Sequence, residues 1–139
     1  MAKQFFKDAV FSLNSNDVSG YTSGVGLDHQ YASGETTTYG SAGAQEFIPT
    51  IESWTMDWVV KQDFAAAAID SIVWPLHSGR STVPMTLRAN SAVVSSSNPQ
   101  WSGNVLILNW KPVGGNVGDV AEVSVTLQGT GTLTRATST

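Results

Sequence analysis

Residues 104–129 read NVLILNWKPVGGNVGDVAEVSVTLQG. The apolar residues of the first part run unbroken from Val105 to Leu108. The second part alternates, with Ala121, Val123, Val125 and Leu127 on one side and Glu122, Ser124 and Thr126 on the other. Side chains on a strand point to opposite faces in turn, so alternation predicts a half-buried strand and an unbroken apolar run predicts one covered on both faces. Between them PVGGNVGD, residues 112–119, carries the glycines a chain reversal needs. The stretch therefore predicts a hairpin, with strands over 101–111 and 120–127 and nothing catalytic in either.

The same period-2 reading extends outward. Glu52 to Gln62 (ESWTMDWVVK and Gln62) places Trp54, Met56, Trp58 and Val60 on one face and Thr55, Asp57 and Lys61 on the other, with Val59 the exception. Residues 82–90 put Val83, Met85, Leu87 and Ala89 inward; Pro84 cannot donate to a ladder, which predicts an edge strand or a bulge. Residues 9–14 form a short strand with Phe11 and Leu13 sharing a face. Residues 21–31 alternate weakly, with Val25 and Leu27 opposite Asp28 and Gln30. A short strand over 132–134 closes the chain. The period changes at Asp63 to Val73, where four alanines and a capping Asp63 predict a helix that ends before Pro75, followed by a turn at 77–81. Residues 32–47, ASGETTTYGSAGAQEF, predict a long loop with a short strand at 35–39; loops of this length are usually functional. The sum is a mainly β chain, a β-sandwich or partial barrel of six to seven strands with one flanking α-helix, and its 139 residues are expected to form one domain.

Composition narrows the function classes. The chain has no cysteine, which removes thiolate metal sites and disulfides. Its net charge of −4 argues against wrapping nucleic acid, although an acidic surface lets DNA pass without sticking. Charged residues are only 13%, against the usual ~25%. Seventeen serines and fourteen threonines make up the difference. A polar surface poor in charge resembles an interface, where desolvating charge is costly; small all-β domains can also simply be rich in Ser and Thr. Residues 1–14 hold Lys3 and Lys7 but no apolar run, so no signal peptide is expected, and no stretch approaches the ~18 apolar residues of a membrane span.

Chemistry is hard to find. Asp28 and His29 are neighbours on a strand and point apart, and neither His29 nor His77 has a second ligand at metal spacing. There is no G-x-S-x-G, and the glycines at 24 and 26 and in GGNVG lack the lysine of a phosphate loop. Asp57 and Glu122 share polar strand faces, but without a cleft they do not make a glycosidase pair. Of five tryptophans, Trp54 and Trp58 belong to a core face, and Trp101 is the one candidate for an exposed stacking platform. No catalytic, cofactor-binding or metal residue is expected, and no cofactor.

Residues 98–136, from Asn98-Pro99 and Trp101 through Ser102-Gly103, Pro112 with Gly114-Gly115, and Val117-Gly118-Asp119 to Leu133-Thr134-Arg135-Ala136, resemble the major tail tube proteins of bacteriophages with long, non-contractile tails. Asp17-Val18-Ser19-Gly20-Tyr21, residues 35–40 (ETTTYG) and Ile51 to Trp54 are similar to that family as well, while Pro49-Thr50 departs from its frequent Pro-Gly. The resemblance implies a virion protein, made in the host cytoplasm. It implies hexameric rings stacked into a hollow tube that conducts DNA during ejection. It also implies partners at the tail tip, at the terminus and in the tape-measure protein. On that basis Glu35, Thr37, Tyr39, Phe47, Trp101 and Arg135 are candidates for contacts between subunits. Thr55, Asp57, Glu122, Ser124 and Thr126 are candidates for the lumen. The loop over 32–47 is expected to order on an adjacent ring. A carbohydrate-binding decoration module of a virion is the alternative, and a hydrolase a more distant one.

Overall fold

The computed structural model describes residues 6–138; Lys3 lies outside them. The chain order is β1 (Val10–Leu13), β2 (Asn16–Asp17), β3 (Thr22–Glu35), β4 (Phe47–Lys61), α1 (Ile69–Ser78), β5 (Val83–Arg88), β6 (Gln100–Ile107) and β7 (Glu122–Ala136). All seven strands join one antiparallel sheet in the order β2-β1-β5-β6-β7-β4-β3. In a flat sheet β1 and β4, four intervals apart, would lie about 19 Å from each other. Instead the rings of Phe11 on β1 and Trp58 on β4 meet edge to face at 5.4 Å between centroids. The sheet therefore rolls on itself without closing, the partial-barrel form of the expected mainly β fold.

The inward residues of β4 and β7 are those the alternation predicts: Trp54, Met56, Trp58, Val60, Val123, Val125 and Leu127 are all buried. Phe11 and Leu13 join them from β1, and Val83 and Met85 from β5. Burying such side chains contributes about 1.5–3 kcal/mol each. Trp58 donates its Nε1–H to the Thr22 hydroxyl (2.8 Å) and Trp54 to the Gly131 carbonyl (3.0 Å), so neither indole is buried with an unmet donor.

Several local expectations change. The helix does not start at Asp63. Asp63 does accept from a backbone amide, that of Ala65 (2.9 Å), but it closes a turn, and Ala67 is left-handed at φ 61°. The helix begins where the buried anchors Ile69 and Val73 begin, and it contains Pro75 instead of stopping before it. Alanine's propensity is worth tenths of a kcal/mol per residue and yields to burial. His77 consequently lies in the last helical turn, with Nδ1 2.8 Å from the Ile107 carbonyl oxygen, and not in a loop.

Pro84 is not on an edge strand, because β5 pairs with β1 on one side and β6 on the other. Its carbonyl accepts from Asn14 (2.7 Å), so its missing donor also faces β1, at the point where β1 ends and the chain turns through Asn14 and Ser15, both at positive φ. The opening hairpin is present, pairing Ile107 with Leu127, but β6 ends at Ile107, four residues short of the expected Lys111. Leu108 is exposed and Leu106 half-buried, so the apolar run is not covered on both faces. Ala121 is exposed in the connecting loop, and the separate strand over 132–134 is the far half of a continuous β7. Trp110 folds back from that loop into the core, its indole 6.1 Å from that of Trp58.

Candidate functional site

Three surfaces follow from how the strands differ in length. The first is an arm. β4 pairs with β7 only from Thr55 to Lys61, whereas it pairs with β3 as far as Phe47. The reason β7 leaves is local: Gly129 passes against Trp54, where a Cβ would fall 2.6 Å from the Trp54 carbonyl oxygen, and Gly131 has φ 78°. Beyond that point β3 and β4 continue as a two-stranded hairpin. The expected loop over 32–47 is thus shorter than the sequence suggests, because residues 32–35 belong to β3; residues 35–39 form no strand of their own.

The tip, residues 36–46, is a hydrogen-bonded knob. The Thr37 hydroxyl accepts from the Glu46 amide (2.9 Å) and donates to Glu35 (3.2 Å), and Gln45 also donates to Glu35 (3.2 Å). Ser41 donates to Glu46 (2.8 Å) and accepts from the Thr38 amide (3.0 Å). The tip's polar groups are therefore arranged by the chain itself, without a partner. Around them Tyr31, Tyr39, Phe47, Ile48 and Ile51 are exposed, Ile51 at 75%. Of the contact candidates, Glu35, Thr37, Tyr39 and Phe47 all lie on this arm.

The second surface is a trough of about 1160 Å³, opening along the seam where β3 faces the segment leading into β1. Leu27, Leu87, Trp101 and Leu133 form part of its lining, and Lys7, Arg88 and Arg135 supply positive charge. Trp101 and Arg135, the remaining contact candidates, meet here: the guanidinium carbon stands 5.9 Å from the centroid of the Trp101 ring. Trp101 is half-buried beneath it, not an open platform for a sugar. Asp8 and Asp17 also border the trough, and each is held below the ordinary carboxylate pKa. Ser91 does this for Asp8 (hydroxyl at 2.7 Å), and Ser19 does it for Asp17, through its side chain first and then its amide (2.9 Å).

The third surface is the outward face of β3, β4 and β7. Cross-strand pairing sets Asp57 beside Thr126, Val59 beside Ser124, Lys61 beside Glu122 and Thr55 beside Gln128. All five lumen candidates therefore share one polar patch, with Asp28 opposite Thr55 on the next strand and a Lys61–Glu122 salt bridge at its end.

Sequence reasoning missed the trough and the role of the Asp17–Tyr21 segment. Ser19 accepts the Phe11 amide proton (2.8 Å), and Val18 donates to the Phe11 carbonyl (3.0 Å), so residues 16–19 seal the outer edge of β1. The run Asp17-Val18-Ser19 was the available signal. Asp28 and His29 do point to opposite faces; His29 lies 3.7 Å from Glu52 at the root of the arm. Among the described residues no three His, Cys, Asp or Glu side chains converge as a metal site, and no helix is long and apolar enough to cross a membrane.

The class these features define is a mainly β chain with a rolled open sheet, one helix and a projecting hairpin. No family model and no curated protein matches the chain. Among solved structures, a chain from the virion of a native gene transfer agent particle shares the fold, with a TM-score of 0.77 over 96% of this chain and 99% of that one, at 12% sequence identity.

Proposed function

We propose that this protein is a structural component of a virion, and that it assembles as stacked hexameric rings into the hollow tail tube that conducts DNA to the host. The observation that carries the virion reading is the end-to-end fold likeness to a chain of a virion particle. The tube reading rests on the tail-tube resemblance of the sequence. It is supported by three features a building block needs: a β3 edge fourteen residues long that no strand among the described residues pairs, an arm with exposed apolar side chains, and a polar, sparsely charged outer face.

An open strand edge pairs readily with another chain, which is a hazard in a monomer and a joint in an assembly. The outer face of β4 and β7 lines the lumen in this reading. Asp28 and Asp57 repel phosphate there, Glu122 offsets the charge of Lys61, and Thr55, Ser124 and Thr126 offer hydroxyls without strong charge. DNA passes without specific binding, and the tape-measure, tip and terminator proteins meet the tube inside and at its ends. Negative-stain microscopy of the purified protein tests the proposal. Hollow tubes with a regular axial repeat and six-fold rings are expected. Isolated globular particles at high protein concentration, with or without a tail-tip complex to start growth, overturn it.

A further inference from the structure

We infer that Glu52 and His29 form a pH-sensitive latch that ties the root of the arm to the far half of β7. The main chain does not make that tie. Among the described residues β4 pairs with β7 only from Thr55 to Lys61, while β7 runs on to Ala136 against β6 and β4 runs back to Phe47 against β3. Two side chains of β4 bridge the gap that opens there. Trp54 donates its Nε1–H to the Gly131 carbonyl (3.0 Å), and Glu52 Oε1 accepts the Leu133 amide proton (3.0 Å). The two stand two residues apart, so they share a face and repeat the spacing of the ladder they replace.

The indole is uncharged and holds at any pH, but the carboxylate has a titratable neighbour. His29 lies on the same inner face, with Nε2 3.7 Å from the oxygen to which Leu133 donates. The Tyr31 ring meets the imidazole edge to face at 5.1 Å and limits where it can turn. The His29 and Glu52 side chains are 30% and 27% exposed, open enough to exchange protons and covered enough for their charges to be felt. Histidine ordinarily gains its proton near pH ~6.5. In the shut latch the Leu133 bond fixes the carboxylate beside the imidazole; in the open latch the carboxylate is free to turn into water. A charged imidazole therefore favours the shut form. By linkage the shut form holds the proton more tightly, so the tie strengthens as pH falls and relaxes as pH rises. The other charged groups that line the trough with His29 are Arg135 on β7, Arg88 on β5, Asp17 on β2, and Lys7 and Asp8 ahead of β1. Ser91 and Ser19 hold Asp8 and Asp17 below the ordinary carboxylate range, and lysine and arginine ordinarily titrate well above neutrality, so the imidazole is the group in that set that switches near neutral pH. An untied arm pivots where the ladder ends, at Thr55 and Gln128.

Amide exchange of the full chain, followed by NMR, reads the tie at Leu133. The protection factor, which removes the intrinsic pH dependence of exchange, should be roughly two- to fivefold higher at about pH 5.5 than at about pH 7.5, the size of a partly exposed ion pair. His29→Gln should show the neutral-pH value at both, and His29→Lys the acid value at both. Both keep a polar side chain at a partly exposed position, so the fold is retained. Glu52→Gln keeps an acceptor for Leu133 without the charge and should lose the pH response, whereas Glu52→Ala should lose the protection itself. Protection that is equal or lower at acid pH in the parent overturns the inference. A response that survives His29→Gln also overturns it, because the remaining histidine, His77, would then carry it. Undiminished protection in Glu52→Ala removes the latch altogether. The latch concerns one copy alone, so its failure leaves the tube reading standing.

Discussion

Gly129→Ala tests the bend that frees the arm. The added Cβ would fall 2.6 Å from the Trp54 carbonyl oxygen and within the indole itself. The first of these contacts is to backbone, which no rotamer change relieves. Overpacking a core costs about 1–3 kcal/mol, and a clash with both ring and main chain belongs at the top of that range. With 139 residues and an unfolding entropy of ~2.1 cal/mol/K per residue, ~3 kcal/mol lowers the melting temperature by about 10 °C. Gly26→Ala is the control, because nothing lies within 4 Å of its Cβ position. It should stay within about 0.5 kcal/mol, or ~2 °C. Differential scanning calorimetry of the three proteins reads both numbers. A Gly129→Ala protein melting within 2 °C of the parent would mean that β7 bends for a reason other than this contact.

Removing residues 37–42 should leave the body folded, because the hydrogen bonds of the deleted residues stay within residues 35–46, yet abolish tubes of normal length in electron micrographs; tubes of unchanged length would detach the arm from assembly. Asp57→Lys with Glu122→Lys should slow DNA release several-fold in a triggered ejection assay, since cations on a lumen wall bind phosphate; unaltered kinetics would remove that face from the lumen. Asp17 has a folded pKa below its ordinary 3.8, so its stabilising contribution is complete above that value and is lost as pH falls through the lowered one. The melting difference between the parent and Asp17→Asn should therefore be largest near neutrality and shrink below about pH 3.8; a pH-independent difference would contradict this.

The core was legible because β4 and β7 bury one side chain in two, and Trp54, Met56 and Trp58 cannot be placed outside cheaply. The helix was misplaced because alanine signals propensity but not position; Ile69 and Val73, with surface to bury, decide where it forms. The extension of β3 through Ser33 and Gly34 had no hydrophobic pattern to reveal it, since backbone pairing with Pro49 and Ile48 holds it there. The candidates on the arm came together because β3 and β4 form one hairpin, and those on the polar face because alternation puts them on the same side of β4 and β7, which pair although distant in sequence. The trough did not appear, because Leu27, Leu87, Trp101 and Leu133 come from four strands and only the rolled sheet assembles them.

The two rims of the sheet are treated differently. The rim at β1, which bears Phe11 and Leu13, is sealed by the chain's own residues 16–19. No strand among the described residues covers the rim at β3, which carries Gly24, Gly26, Asp28 and Gly34, a glycine-rich and charged run ill suited to indiscriminate stacking. One rim is thus shut by the chain itself, and the other would admit only a partner strand that tolerates its glycines and its charge.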